Sequence, residues 1–292
     1  MKILLAYDGS TAVHAAIQSL AKSGIPKSGQ MIVLTAAEDE QPGGGGLLRS
    51  STLLTVAAQS SRRADSCHRF LAEQAAKSLR RILPEWQIGT EFCEDAPQQA
   101  ILEKALAWNA ELIVLGANGH STSGRNILGS VALRVLCESR CCVRIGRHGF
   151  AGESAPRLMI GMDGSAGAEA AVRAVAARQW PEGTHALIVS VLEDSAEPTQ
   201  PIWLTGKQAA RILETAGLTV ENRICSGEAG QLLVREASNF RAHCLFVGAT
   251  GCGRGRLSEI GDVAYAVAAR APCTVEIVRD RSVNPASAPR PR

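Results

Sequence analysis

The sequence lacks any strong charge imbalance: 31 Lys and Arg stand against 28 Asp and Glu, a formal charge of +3. That is too even for nucleic acid or an anionic membrane to be the main partner. No apolar run approaches the roughly 18 residues needed to span a bilayer. Met1–Asp8 has neither the apolar stretch nor the cleavage site of a signal peptide. These absences point to the cytoplasm. The P-loop string Gly-x4-Gly-Lys-Ser/Thr is missing, which excludes that class of NTPase. No Cys-x-x-Cys occurs among the nine cysteines, so in a reducing compartment they read as small buried hydrophobes. The sharper alternative is a thiolate cluster of Cys137, Cys141 and Cys142 for metal or redox sensing. Its Cys-x3-Cys-Cys spacing has no His nearby at ligand spacing.

What the sequence does have is a copy of itself. At 292 residues and 46% hydrophobic content it can form two domains, each burying its own core. Ile3–Ser10 (ILLAYDGS) returns as Leu158–Ser165 (LMIGMDGS), 155 residues later. Leu112–Gly119 (LIVLGANG) returns as Cys244–Gly251 (CLFVGATG), and Cys141–Ile145 as Cys273–Ile277, both 132 residues later. The second repeat is therefore 23 residues shorter, with the loss between its first and fourth strands. The stretch from Gln41 to about Ser61, with Pro42 and Gly43–Gly46, is the candidate insertion. Leu47–Ala58 within it is apolar enough for an added helix or lid. The expected division is 1–147 and 156–280, a turn-rich linker between, and a disordered tail over 281–292.

In the first repeat, apolar runs predict strands near 2–7, 31–36, 87–93, 111–116 and 141–146. Helical periods fall near 11–22, 62–82, 97–109 and 129–138. This alternation predicts an α/β fold with a doubly wound parallel sheet in each repeat. Ligands of such sheets bind beyond the carboxyl ends of the strands, so the residues after strands one and four are the ones to inspect.

Strand one ends in Asp8-Gly9-Ser10. Strand four runs into Gly-x2-Gly-x9-Gly-Ser, occupied by Gly116, Gly119, Gly129 and Ser130. Gly116 and Gly119 would let the backbone approach a ligand and adopt positive φ. Gly129 and Ser130 open a helix whose N–H groups and positive dipole end attract an anion, and Ser130 adds a hydroxyl. Asp8 can accept from ribose hydroxyls or an adenine amine. The plain alternative is turn chemistry, with Ser10 capping the first helix. His120, in the glycine loop, reads as a polar loop residue rather than a catalytic one.

The order Asp-Gly-Ser, Gly-x2-Gly-x9-Gly-Ser and a closing strand that starts with Cys resembles the universal stress protein family over nearly all of both repeats. The resemblance implies five-stranded sheets in the order 3-2-1-4-5, paired through their fifth strands as a pseudo-dimer. It implies ATP as the ligand, with or without Mg²⁺, and leaves a homodimer open. Carried onto this sequence, the nucleotide-binding residues are Asp8, Ala36, Gly116, Asn118, Gly119, Gly129, Ser130 and Val131.

The second repeat keeps Asp163, Gly248, Gly251 and Gly261 but has Asp262 where Ser130 stands. A carboxylate there is expected to satisfy the helix N–H groups itself and to repel a polyphosphate; Arg254 and Arg256 could offset this. The second site is read as degenerate, with a structural or regulatory role. Two other readings compete. An adenine-nucleotide-hydrolysing or adenylate-forming enzyme would carry His-x-Gly-His or Ser-Gly-Gly-x-Asp-Ser, and neither is present; slow hydrolysis stays open. An apolar-ligand-sensing module would use Met162 and Val191 in the second repeat. In the fifth strands, Arg144 and Glu276 occupy equivalent positions. Antiparallel pairing of the repeats would set them opposite each other, worth ~0.2–1 kcal/mol as an ordinary cross-strand pair.

Overall fold

The computed structural model describes residues 1–36, 68–118, 128–147, 155–192, 202–251 and 260–280. The insertion after Gln41, Gly119, His120, Arg254, Arg256, the core of the linker (148–154) and the tail lie outside them.

The first repeat contains β1 (Lys2–Ala6), α1 (Thr11–Leu20), β2 (Gly29–Ala36), α2 (described over 68–82), β3 (Trp86–Cys93), α3 (Pro97–Ala107), β4 (Leu112–Gly116), α4 (Ser130–Glu138) and β5 (Cys142–Gly146). The second contains β6 (Arg157–Met162), α5 (Ala166–Ala176), β7 (His185–Leu192), α6 (Ile202–Thr215), β8 (Thr219–Ser226), α7 (Ala229–Asn239), β9 (Cys244–Gly248), α8 (Asp262–Arg270) and β10 (Thr274–Val278).

Within each repeat the paired strands are parallel. The repeats do not form two separate sheets. They merge into one ten-stranded sheet, β3-β2-β1-β4-β5-β10-β9-β6-β7-β8. The central β5–β10 pair is antiparallel and sets Arg144 directly opposite Glu276.

The continuous apolar runs of β1 and β4 follow from burial on both faces. Because side chains alternate, Ile3 and Leu5 enter one core and Leu4 the other. On the face covered by α3, α4, α7 and α8, the core is continuous across both repeats, with Val143, Ile145, Val275 and Ile277 in the middle. On the opposite face there are two cores, one for each repeat.

Arg144 and Glu276 are 2% and 0% exposed. Arg144 donates to Glu276 at 2.9 Å, and Arg178, just beyond α5, donates to the other carboxylate oxygen. Arg178 also donates to the Ser23 carbonyl of the first repeat at 3.1 Å. The expected value for this pair therefore needs correction. It is no surface cross-strand contact but a desolvated charge cluster, for which removal of one partner costs several-fold more.

Candidate functional site

The Asp-Gly-Ser turns do the same structural work in both repeats. Gly9 and Gly164 adopt φ of 77° and 80°, the left-handed region that favours glycine. Asp8 Oδ1 accepts from Ser10 N at 2.9 Å, and Ser10 Oγ, as N-cap, accepts from Val13 N at 3.4 Å. Asp163, Ser165 and Ala168 repeat this with distances of 2.9 and 3.2 Å. So the plain turn reading holds for both repeats.

Gly116 has a different role from the one its motif suggested. It is not in the positive-φ region. A Cβ there would lie 2.8 Å from Val13 N and 2.9 Å from Ala12 Cβ. The close approach seen at Gly116 is that of α1. Gly248 is the same case: a Cβ would lie 2.4 Å from the carbonyl carbon of Gly167 in α5. A Cβ on Gly251 would lie 2.6 Å from Asp163 Oδ2, so the second repeat's aspartate sits against Gly251.

Past these turns, a cavity of about 230 Å³ opens at the carboxyl ends of β1, β2 and β4. Asp8, Ala36, Gly116, Asn118, Gly129, Ser130 and Val131 all line it. Of the sequence-expected residues of the first repeat, only Gly119 falls outside the described residues. Gly129, the N-cap of α4, has φ −64° and ψ 156° and no side chain to cap the helix. Its N–H is held by the Ala117 carbonyl at 2.9 Å. The first-turn N–H groups of α4 are thus turned out of the helix end that the cavity reaches.

Tyr7, Pro97 and Ile101 also line the cavity, and sequence reasoning did not name them. Tyr7 Oη lies 3.2 Å from His14 Nε2. Burial, and then the charge of Asp8, push the Tyr7 phenol up, so at neutral pH it stays protonated. A signal was present: Tyr7 precedes the aspartate where the second repeat has Met162. A further cleft of about 290 Å³ lies by Leu20, Gly24, Pro26, Leu83, Gln179 and Pro181. It lies toward the amino ends of the strands, away from where doubly wound sheets bind ligands.

In the second repeat, Gly261 is likewise the N-cap of α8, and its N–H is held by the Ala249 carbonyl at 2.8 Å. Asp262 is exposed and makes no hydrogen bond among the described residues, contrary to the expectation that it satisfies the helix N–H groups. The reason is positional. Capping acceptors come from the residue before the first helical one, and Asp262 is one residue too late. Its negative charge still stands at the mouth of the helix. Met162 is 4% exposed within the second repeat's core and Val191 packs against the shared one.

Among the described residues, no three His, Cys, Asp or Glu side chains are placed to share a metal ion. Cys137, Cys141 and Cys142 therefore do not assemble the cluster their spacing allowed, and none of the described cysteines is disulfide-bonded. No helix among the described residues is long and apolar enough to cross a membrane.

Comparison with known proteins agrees with this architecture. The family model described as "Universal stress protein family" matches twice, over residues 1–145 and 155–279. Universal stress protein MJ0531 of Methanocaldococcus jannaschii is 37% identical over 75 residues, which is 25% of this chain and 44% of that protein's length. A universal stress protein from Archaeoglobus fulgidus DSM 4304 superposes with a TM-score of 0.67 at 19% identity, covering 95% of this chain and 98% of that one. A putative universal stress protein from Pseudomonas aeruginosa UCBPP-PA14 gives 0.60 at 15% identity, covering 95% and 92%. At such identities the likeness establishes the fold alone. With two family matches in tandem, each over one repeat of a shared sheet, the chain belongs to the universal stress protein family.

Proposed function

We propose that this chain is a cytoplasmic stress-response protein that binds one ATP, with Mg²⁺, in its first repeat, while the second repeat (156–280) supports and regulates the first (1–147). The observation that carries the reading is the cavity where Asp8, Ala36 and the N-terminus of α4 converge. The apolar wall of Leu34, Ala36 and Ile101 suits a flat base. Asp8 would accept from the adenosine end. Ser130 and the first-turn N–H groups of α4 would hold the phosphates, since an uncapped helix N-terminus offers both donors and a positive dipole. Bound Mg²⁺ would neutralise part of the phosphate charge.

The residues around the cavity supply binding rather than chemistry. Asp8 is engaged in its turn, the Tyr7 phenol is held protonated beside His14, and among the described residues Asp8 is the only carboxylate lining the cavity. Equilibrium dialysis with labelled ATP tests the reading. Retention should saturate and be competed by unlabelled ATP but not by equal inorganic phosphate. Protein that retains no ATP sinks it.

A further inference from the structure

The antiparallel β5–β10 junction has a second consequence. With Arg144 opposite Glu276, the residue that follows each fifth strand arrives beside the start of the other. That is where the preceding helix of the other repeat ends. The residue is arginine in both repeats, Arg147 and Arg279, 132 positions apart. Arg147 donates to the Ala268 and Ala269 carbonyls, in the last turn of α8. Arg279 donates to the Leu136 carbonyl, in the last turn of α4, at 2.9 Å. Ala268 and Leu136 are themselves equivalent. Each repeat thus lends a guanidinium to the carboxyl end of the other repeat's last helix, where unpaired carbonyls and the negative dipole end favour a cation.

The exchange is symmetric in structure but not in consequence. Helix α4 is about 13 Å long at 1.5 Å per residue. One of its ends faces the cavity through Gly129, Ser130 and Val131. The other is gripped by Arg279 of the second repeat. Beside the α4–β5 turn, Cys141 is buried in the shared core and Cys142 packs against the two single-repeat cores. Helix α8, gripped by Arg147, presents Asp262 at its N-terminus instead of a phosphate cradle.

We propose that Arg279 is a positioning residue for the nucleotide site of the first repeat, supplied by the second repeat, so that the site is complete only when the two repeats are joined. This rests on the nucleotide-binding reading above. Arg279 fixes α4 against the sheet, and its release lets the phosphate-facing N–H groups move. By linkage, nucleotide in the first repeat tightens the grip of the second.

Arg147 provides the control, because Arg147→Met removes the matching contact at the end of α8 instead of the one at the end of α4. In the full chain, Arg279→Met should weaken ATP binding by about fivefold or more. Arg147→Met should leave ATP affinity at the wild-type value, although both variants lower Tm. Arg279→Lys, which keeps a cation and a donor, should recover part of the loss. Amide hydrogen exchange over 130–138 in protein without nucleotide should speed up in Arg279→Met and not in Arg147→Met. Equal effects of the two Met variants on affinity and on α4 exchange, or no effect of Arg279→Met on either, overturn the proposal. If the wild type binds no ATP, the functional reading falls, and α4 exchange still decides whether Arg279 holds that helix. Should Arg279→Met fail to fold, Arg279→Lys against Arg147→Lys makes the same comparison.

Discussion

The strand ends of the two repeats are built from the same parts and differ in a few side chains. Both have a left-handed glycine after the aspartate, a serine cap, and a glycine N-cap before the last helix. Both keep the glycine that closes strand four, because a helix presses on it. The differences include Tyr7 against Met162, Ala36 against Val191, Asn118 against Thr250, Ser130 against Asp262, and the insertion in the first repeat. The comparison teaches that glycine retention alone says little about a ligand. Gly116 and Gly248 would be required with or without a nucleotide, since a Cβ at either collides with backbone. What separates the repeats is the charge at the helix N-terminus and the wall of the cavity.

The largest expected effect concerns the junction that lets the repeats differ. Arg144→Ala leaves Glu276 buried with Arg178 as its remaining charged partner. Stability should fall by about 3–5 kcal/mol, as for a broken buried pair, read by urea unfolding. A loss below about 1 kcal/mol would mean that the pair behaves as a surface contact. The charge swap Arg144→Glu with Glu276→Arg should recover only part of the loss, because the new arginine then meets Arg178.

Next in size is conversion of the first repeat into the second. Ser130→Asp should reduce ATP affinity by at least about 100-fold, close to 2.8 kcal/mol, measured by calorimetry. Affinity that survives would show that this position does not distinguish the repeats.

An acid effect follows from Glu276. Burial by itself would push its carboxyl up, but Arg178 and Arg144 outweigh that and hold it below the ordinary carboxylate range. Its stabilising contribution is therefore present above the unfolded value of about 4.3. It is lost as pH falls from there through the lower folded value. The stability gap between wild type and Glu276→Gln should stay constant from pH 7 to about pH 5 and shrink below about pH 4.3. A gap independent of pH contradicts the assignment.

The smallest effect is the reverse conversion. Asp262→Ser should create a second, weaker ATP site. Unchanged binding would place the loss in the cavity wall, with Met162 for Tyr7 and Asp163 set over Gly251.

Much of this was legible in the sequence. The apolar runs of β1 and β4 announced strands buried on both faces. The in-register recurrence of Asp8 and Asp163, and of Gly116 and Gly248, pointed to the strand ends where the cavity opens. The resemblance implied the fifth-strand junction, and the equivalent positions of Arg144 and Glu276 favoured pairing of the first repeat with the second. What stayed hidden depended on neighbours distant in the chain. Sequence does not say whether a glycine yields to a helix, so the contact of Gly116 with α1 and its ordinary φ were not foreseen. Arg178 joins Glu276 from the end of another helix, so one cross-strand pair was expected where a buried cluster stands. Arg147 and Arg279 become meaningful only once the antiparallel junction brings each beside a helix end.

The central claim is that one of two nearly identical strand-end sites binds nucleotide. Calorimetric titration of the full chain with ATP tests it most directly. The account predicts one ATP per chain, falling to none in Ser130→Asp. Two equivalent sites, or a single site that survives Ser130→Asp and disappears in a variant of the second repeat, would contradict it.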